Sequence, residues 1–358
     1  MKTERLSKED RQKTRSLYEE VFTEDSAEFV QYYYQNKTPF NEIFAAREDS
    51  QICGMAHLNP YLLVSDKKEI QGAYLVAVAT KKEFRHRGIM TALLKEIFDF
   101  LYEKRYPFLY LMPASEAIYT PFDFRFFYTQ RQKTWQTGCV KQKSKSMLSL
   151  REVQEKDLII LSRILNEILS QKYRLFASRT PDYLRDLNRE LRAMNGKMIG
   201  IWHGEECVGS FQLIQESETM ILEPLFKEEY RALASEKTQE FLERECPNET
   251  IKIAANDETK KEKEEESTGK PWMMARIIHL ESWVSNLKSE KRKVVQIHIK
   301  DRWIAKNEGW YEIIVEKEGG TIRKIEQRHG IASISIADLP QLFKTEDPMA
   351  DAFLNEWV

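Results

Sequence analysis

Two arginines and a glycine stand together in Arg85-His86-Arg87-Gly88-Ile89-Met90, directly ahead of a helical pattern. The chemistry that such a segment suits is anion binding. The first turn of a helix leaves backbone N–H groups unpaired and carries partial positive charge, a ready seat for a diphosphate. Gly88 lets an anion approach the backbone closely, while Arg85 and Arg87 add fixed charge and hydrogen-bond donors. Other reactive residue types are scattered. None of the six histidines pairs with a second histidine and a carboxylate at ligand spacing, and Cys53, Cys139, Cys207 and Cys246 form no CxxC pair. No metal and no disulfide framework are therefore expected. The chain also lacks a GxSxG nucleophile elbow and a GxxxxGK[ST] phosphate loop.

The elements around this segment follow from its flanks. An apolar run over residues 73–79 reads as a strand that ends ahead of the arginines. After Gly88, the residues Met90, Leu93, Leu94, Ile97, Phe98 and Leu101 recur at helical spacing, which predicts an amphipathic helix. Short apolar runs at 43–46, 52–58 and 108–112 supply further strands, and a polar helix is expected over 7–22. Strands alternating with helices imply an α/β sheet.

The same order recurs further on. A strand at 147–153 precedes a helix over 157–169. Strands at 198–202 and 207–214 join through His203-Gly204-Glu205, a strand at 219–225 precedes a helix reaching 243, and a last strand covers 250–254. This echo suggests an internal duplication. The polar run 141–146 reads as a linker and the charged block 258–270 as a solvated loop. From residue 272 onward a helix over 280–287, strands at 294–299, 310–315, 321–325 and 331–336, and closing helices over 337–343 and 349–357 make a small α+β unit. At 358 residues, two or three domains are the natural reading.

Net charge is −2, so there is no basic excess to neutralise phosphates and no nucleic-acid partner is expected. No stretch reaches the roughly 18 apolar residues of a membrane span. The polar start MKTERLSKEDRQK lacks the apolar core of a secretory signal, so a cytoplasmic location is expected.

Taken with the V-A-V-A-T strand ten residues before the glycine, the loop resembles the coenzyme A loop of the GNAT acetyltransferase superfamily, R/Q-x-x-G-x-G/A. It departs at Met90, where the family has a small residue. The segment FLYLMPASEAIYTPFDF, residues 108–124, joined to RxRGIM upstream, resembles a narrower group. These are the Eis-type acetyltransferases, three-domain enzymes that acetylate aminoglycosides and other polyamines. The resemblance implies mixed α/β sheets in tandem GNAT folds, followed by a sterol-carrier-protein-like α+β domain. Its boundaries fall at 1–145 for a catalytic domain, 146–271 for a degenerate second fold and 272–358 for the last domain. The second fold shows no arginine- and glycine-bearing turn like the first, so it should hold no coenzyme. Trp272–Ile277 resembles the opening strand of the last domain.

The resemblance also implies roles. The strand end Val76, Ala77 and Val78 aligns the pantetheine arm through main-chain hydrogen bonds. His86, Arg87, Gly88, Ile89, Met90 and Thr91 carry the diphosphate of acetyl-CoA, with Arg85 alongside. Ser115 and Glu116 touch the coenzyme near its thiol. Tyr119 is the general acid that protonates the departing thiolate, and the carboxylate of Val358 is the general base. Small-molecule or peptide amines are the implied partners, and hexamers the implied assembly. From the residues alone Tyr119 could instead be a core aromatic among Phe122, Phe124 and Phe126, and Tyr32-Tyr33-Tyr34 either packs or lines a substrate cleft. Asp123 stands where the family has glycine. Two rival functions fit the same fold: a non-catalytic coenzyme A sensor, and a transferase that uses a longer acyl-CoA.

Overall fold

The structure, a computed structural model, describes residues 2–49, 51–138, 147–254, 269–327 and 330–356. The expected linker at 141–146, Cys139, most of the charged block at 258–270, and Val358 lie outside the described residues.

The first stretch holds β1 (Lys2–Arg5), α1 (Arg15–Val21), α2 (Ala27–Tyr32), β2 (Glu42–Glu48), β3 (Gln51–Ser65), β4 (Lys68–Thr80), α3 (Ile89–Glu103), β5 (Phe108–Leu111), α4 (Glu116–Tyr119), β6 (Arg125–Gln130) and β7 (Gln132–Gln136). The polar helix expected at 7–22 divides into a short 3-10 turn and α1. Both long strands outrun the apolar runs that mark them, because their far ends form a hairpin arm in which Tyr61 to Ser65 pair with Lys68 to Gly72.

The second stretch holds β8 (Leu148–Glu152), α5 (Leu158–Lys172), β9 (Leu175–Ala177), α6 (Pro181–Ala193), β10 (Gly196–His203), β11 (Glu206–Gln215), β12 (Thr219–Phe226), α7 (Arg231–Glu245) and β13 (Thr250–Ala254). Helix α6 is absent from the sequence reading. Its apolar stripe is narrow, with Leu184, Leu187 and Leu191 at helical spacing on a helix otherwise rich in charge. Its start is nonetheless signalled by Thr180, whose side chain accepts from the Tyr183 N–H, with Pro181 at the first helical position.

The third stretch holds β14 (Lys270–Ile277), α8 (Leu280–Ser285), β15 (Lys293–Lys300), β16 (Gly309–Val315), β17 (Gly320–Lys324), β18 (Ser333–Ser335), α9 (Leu339–Leu342) and β19 (Ala352–Phe353). The closing helix expected at 349–357 is instead a 3-10 turn over Pro348–Asp351 leading into β19.

The strands assemble into three sheets, ordered β1-β2-β3-β4-β5-β14-β6 with β9 and β19 added beside β3, then β8-β10-β11-β12-β13-β7, then β17-β16-β15-β18. The first two sheets repeat one plan. Three antiparallel strands lead through a helix to a parallel partner, β4 to β5 by α3 and β12 to β13 by α7. Strands are exchanged between them. β7 of the first stretch pairs with β13, and β14, expected to open the last domain, inserts between β5 and β6. Its Met274, with Ile278 just after the strand, packs under α3, and its Met273, Ala275 and Ile277 join the core of the third sheet. Alternation along one strand thus ties two layers together. The chain is a mixed α/β protein with tandem GNAT-like folds.

Candidate active site

Between β3 and β4 the register slips. Met55 faces Ala79 but His57 faces Val76, so β4 carries one extra residue there. Ala77 absorbs it with a φ of 51°. A bulge of this kind bends its strand. The parallel ladder to β5 is accordingly confined to Ala73–Leu109 and Tyr74–Tyr110. Beyond it the strands part around a cleft of about 770 Å³, with Val76, Ala77 and Val78 on one wall and Met112 to Glu116 on the other. Among the described residues the β4 edge at Val76–Val78 thus has no strand partner on the cleft side.

The arginine loop follows β4 directly. Arg85 Nε donates to the Thr80 carbonyl at 3.2 Å, tying the loop to the strand end. His86 and Gly88 both take positive φ, 62° and 77°, and Gly88 forms the N-cap of α3 without any side-chain cap bond. A Cβ built on Gly88 would meet nothing within 4 Å, so the space before the helix is open. The N–H groups of the first turn face that space uncapped, which suits the diphosphate group. Arg85, His86 and Arg87 are exposed there, with Arg87 3.5 Å from Glu48 and over the Phe84 ring. The loop residues are not part of the cleft wall itself. Met90 packs against the core under α3, so its bulk does not crowd the approach. Gly54 of β3 sets the helix head: a Cβ there would lie 2.4 Å from Ile89 Cγ2.

The opposite wall carries Ser115, Glu116 and Tyr119 into the same cleft. Ser115 is the N-cap of α4, and it and Glu116 are exposed. Tyr119 is buried, with its ring edge-on to Phe124 at 5.9 Å. Burial pushes its phenol up to about 12, so it enters any reaction protonated. The tyrosine is at once a core aromatic and a cleft-lining one. Asp123 adopts the left-handed backbone, φ 65°, that glycine would otherwise supply. Tyr32, Tyr33 and Tyr34 are packed in the core, and none of them lines the cleft. Tyr33 Oη lies 2.9 Å from His57 Nδ1, and burial lowers that histidine to about 3, so it stays neutral.

Sequence reasoning missed the roof of the cleft. Tyr18, Phe22, Glu24, Asp25 and Phe29 come from α1, α2 and their connection, and Met194, Glu216 and Trp272 from later stretches. The Tyr18 hydroxyl donates to Asp25 at 2.7 Å, and burial raises the Asp25 carboxyl. Four carboxylates against Lys270 make the lining acidic, which suits a cationic acceptor. No local spacing announces these residues, which converge only through the fold. Among the described residues no group of histidine, cysteine and carboxylate side chains could hold a metal, and no helix is long and apolar enough to cross a membrane.

Residues 2–127 match the family described as acetyltransferase (GNAT) domain. No curated protein matches by sequence. Similar solved structures cover nearly all of the chain. A conserved protein from Enterococcus faecalis V583, described as a probable N-acyltransferase, aligns at TM-score 0.81 and 16% identity over 96% of this chain and 89% of its own. Eis1 from Mycobacterium abscessus aligns at TM-score 0.67 and 13% identity over 96% and 89%. A tandem GNAT protein from the clavulanic acid biosynthesis pathway aligns at 0.51 and 11% over 77% and 98%. At these identities the likeness is one of fold. Residues 2–127 thus carry a GNAT acetyltransferase domain, with the splayed-strand cleft between its strands β4 and β5.

Proposed function

We propose that the chain moves acetyl from acetyl-CoA directly to a primary amine, on an aminoglycoside, a polyamine or a lysine, within a ternary complex. The observation that carries this reading is the single cleft joining the unpartnered edge Val76–Val78 to Tyr119, with the uncapped helix head behind Gly88 following the same strand. Family members use acetyl-CoA, and the cleft with the loop that follows its strand suits its parts: an edge for the arm, a cationic loop outside the cleft wall for the diphosphate, and a phenol near the thiol end. In the reaction the amine lone pair attacks the thioester carbon, and the C–S bond breaks. Tyr119 donates to the departing sulfur, whose conjugate acid has a pKa of ~8.5 if cysteine is the guide. A phenol more basic than the thiol acts chiefly as a hydrogen-bond donor to the developing charge. The attacking nitrogen gives up one proton to a carboxylate, which the Eis resemblance assigns to Val358, and the released thiolate takes one up, so that thioester and amine become amide and thiol.

The reading divides the labour as expected from the sequence. Residues 1–145 bind coenzyme and 146–271 form a fold without coenzyme. Residues 272–358 would form the sterol-carrier-like part, completing a cytoplasmic, hexameric Eis-type enzyme. The acidic cleft supports an amine acceptor. Mass spectrometry of aminoglycosides, polyamines and lysine peptides incubated with acetyl-CoA and the protein tests this directly. Addition of an acetyl group to one class is expected. Acetyl-CoA left intact across the panel, despite measured binding, would favour a sensor, and transfer only from longer acyl-CoAs would change the donor.

A further inference from the structure

A second cavity, of about 220 Å³, lies between the two GNAT-like folds. It sits at the point where the second fold repeats the bulge of the first. In β12, Glu223 takes φ 46°, as Ala77 does in β4, and the pairing with β11 slips between Ser210–Leu225 and Gln212–Leu222. The segment after β19 brings Asn355 and Glu356 into the cavity wall.

The charges in that wall do not balance. Glu190, Glu223 and Glu356 are buried carboxylates. Facing them are two cations: the half-buried Lys37, 3.2 Å from Glu190, and the buried Arg179, 2.7 Å from Glu223 and 3.6 Å from Glu356. Arg179 is thus shared, and one carboxylate is in excess. The Glu356 side chain is 1% exposed, and its Oε1 receives a long 3.4 Å bond from the Tyr183 hydroxyl beside the 3.6 Å approach of Arg179. Its Oε2 is buried with no hydrogen-bond partner. A buried carboxylate oxygen left bare is costly, and a cation with N–H donors relieves it.

We propose that this cavity is a binding site for an organic cation, and that the Glu356 carboxylate holds an ammonium group there. The site is distinct from the coenzyme cleft: Tyr61 of the cavity meets Tyr74 of the cleft with ring centroids 6.3 Å apart, and Met194 lines both. Phe40, 72% exposed at the cavity rim, offers an aromatic face to an entering cation.

Titration gives a second handle. Burial, then Glu223, raise the Glu356 carboxyl to about 7, against Arg179 and Lys37, which lower it. The other facing groups are the phenols of Tyr61, Tyr74, Tyr110, Tyr128 and Tyr183, all pushed far above neutrality by burial. An ammonium therefore binds a site that is partly protonated at neutral pH, and binding expels that proton.

The test is calorimetry of n-butylammonium, cadaverine and spermidine binding to the full chain without acetyl-CoA. We expect at least one to bind, more tightly at pH 8 than at pH 6, with proton release near pH 6.5 seen as a buffer-dependent heat. Glu356→Gln should weaken that binding at least about tenfold and abolish the release, while acetyl-CoA binding stays at the wild-type level. Absence of binding by all three, a pH-independent affinity, or unchanged binding in Glu356→Gln would overturn the proposal. The wild-type pH profile decides even if the variant fails to fold. Cation binding that is lost in Glu356→Gln, in a protein that acetylates no amine, would sink the transferase reading and leave the cation site standing.

Discussion

Tyr119 and Glu356 are both buried ionisable groups, yet burial does opposite things for function. It keeps the Tyr119 phenol protonated, as a donor must be. Tyr119→Phe removes only the hydroxyl, so kcat should fall about a hundredfold while the affinity for acetyl-CoA, measured by calorimetry, is unchanged. Arg87→Glu should do the reverse. Replacing an exposed donor at the helix head with a like charge for the diphosphate should raise KM for acetyl-CoA about tenfold or more, with kcat less affected. Glu356 carries a stability cost instead. Its folded pKa of about 7 lies above the unfolded value, near 4.5. The folded state holds the proton more tightly, so stability is highest below pH 4.5 with respect to this group and falls as pH rises to 7. The full loss is about 3 kcal/mol. Glu356→Gln should therefore raise Tm at pH 8 and leave it nearly unchanged at pH 5. Val78 and Gly88 stand in one contiguous segment, 72–91, and Tyr119 in a second, 108–124, so local sequence could single them out. Glu356 could not be found in this way, because its partners come from residues 37, 179, 183 and 223, and no local spacing brings those together.

At the scale of elements, α3 and β4 do the positioning. Ile89, Leu93, Ile97 and Leu101 recur every four residues and bury one face against the sheet, which places the uncapped N-terminus at the end of β4. The contact at Gly54 sets how closely they approach. Gly54→Val would push a side chain into Ile89 and shift the helix head. It should cost about 1–3 kcal/mol on thermal unfolding and weaken acetyl-CoA binding, with no residue of the cleft altered. Helix α3 and the core of β4 could be read from sequence because their periodicity is strong. Helix α6 was missed although Leu184, Leu187 and Leu191 keep helical spacing, because three leucines on an otherwise charged helix are a far weaker apolar signal than the face of α3. The bulge at Ala77 was likewise hidden, since a positive φ at alanine leaves no trace in residue type.

Over the whole molecule, the sequence order of strands differs from their spatial order. β14 lies in the first sheet between β5 and β6, although almost the entire second fold separates it from them in the chain. The duplication was visible as repeated elements, but strand exchange was not, because pairing partners distant in sequence carry no local mark. A chain ended at Ala254 would lose β14 and leave β5 and β6 with bare edges. It should unfold without a sharp transition and bind no acetyl-CoA, as followed by calorimetry and circular dichroism. The same interlocking makes the cavity between the folds possible, since its wall draws on the first fold, the second fold and the segment after β19.

The central claim is that one cleft both binds acetyl-CoA and performs the transfer. It is tested most directly by following thiol release from acetyl-CoA with a thiol-reactive dye, over a panel of aminoglycosides, polyamines and lysine peptides. The account predicts amine-dependent release by the wild-type chain, reduced about a hundredfold in Tyr119→Phe. Tight acetyl-CoA binding with no release for any amine, or equal release by both proteins, would contradict it.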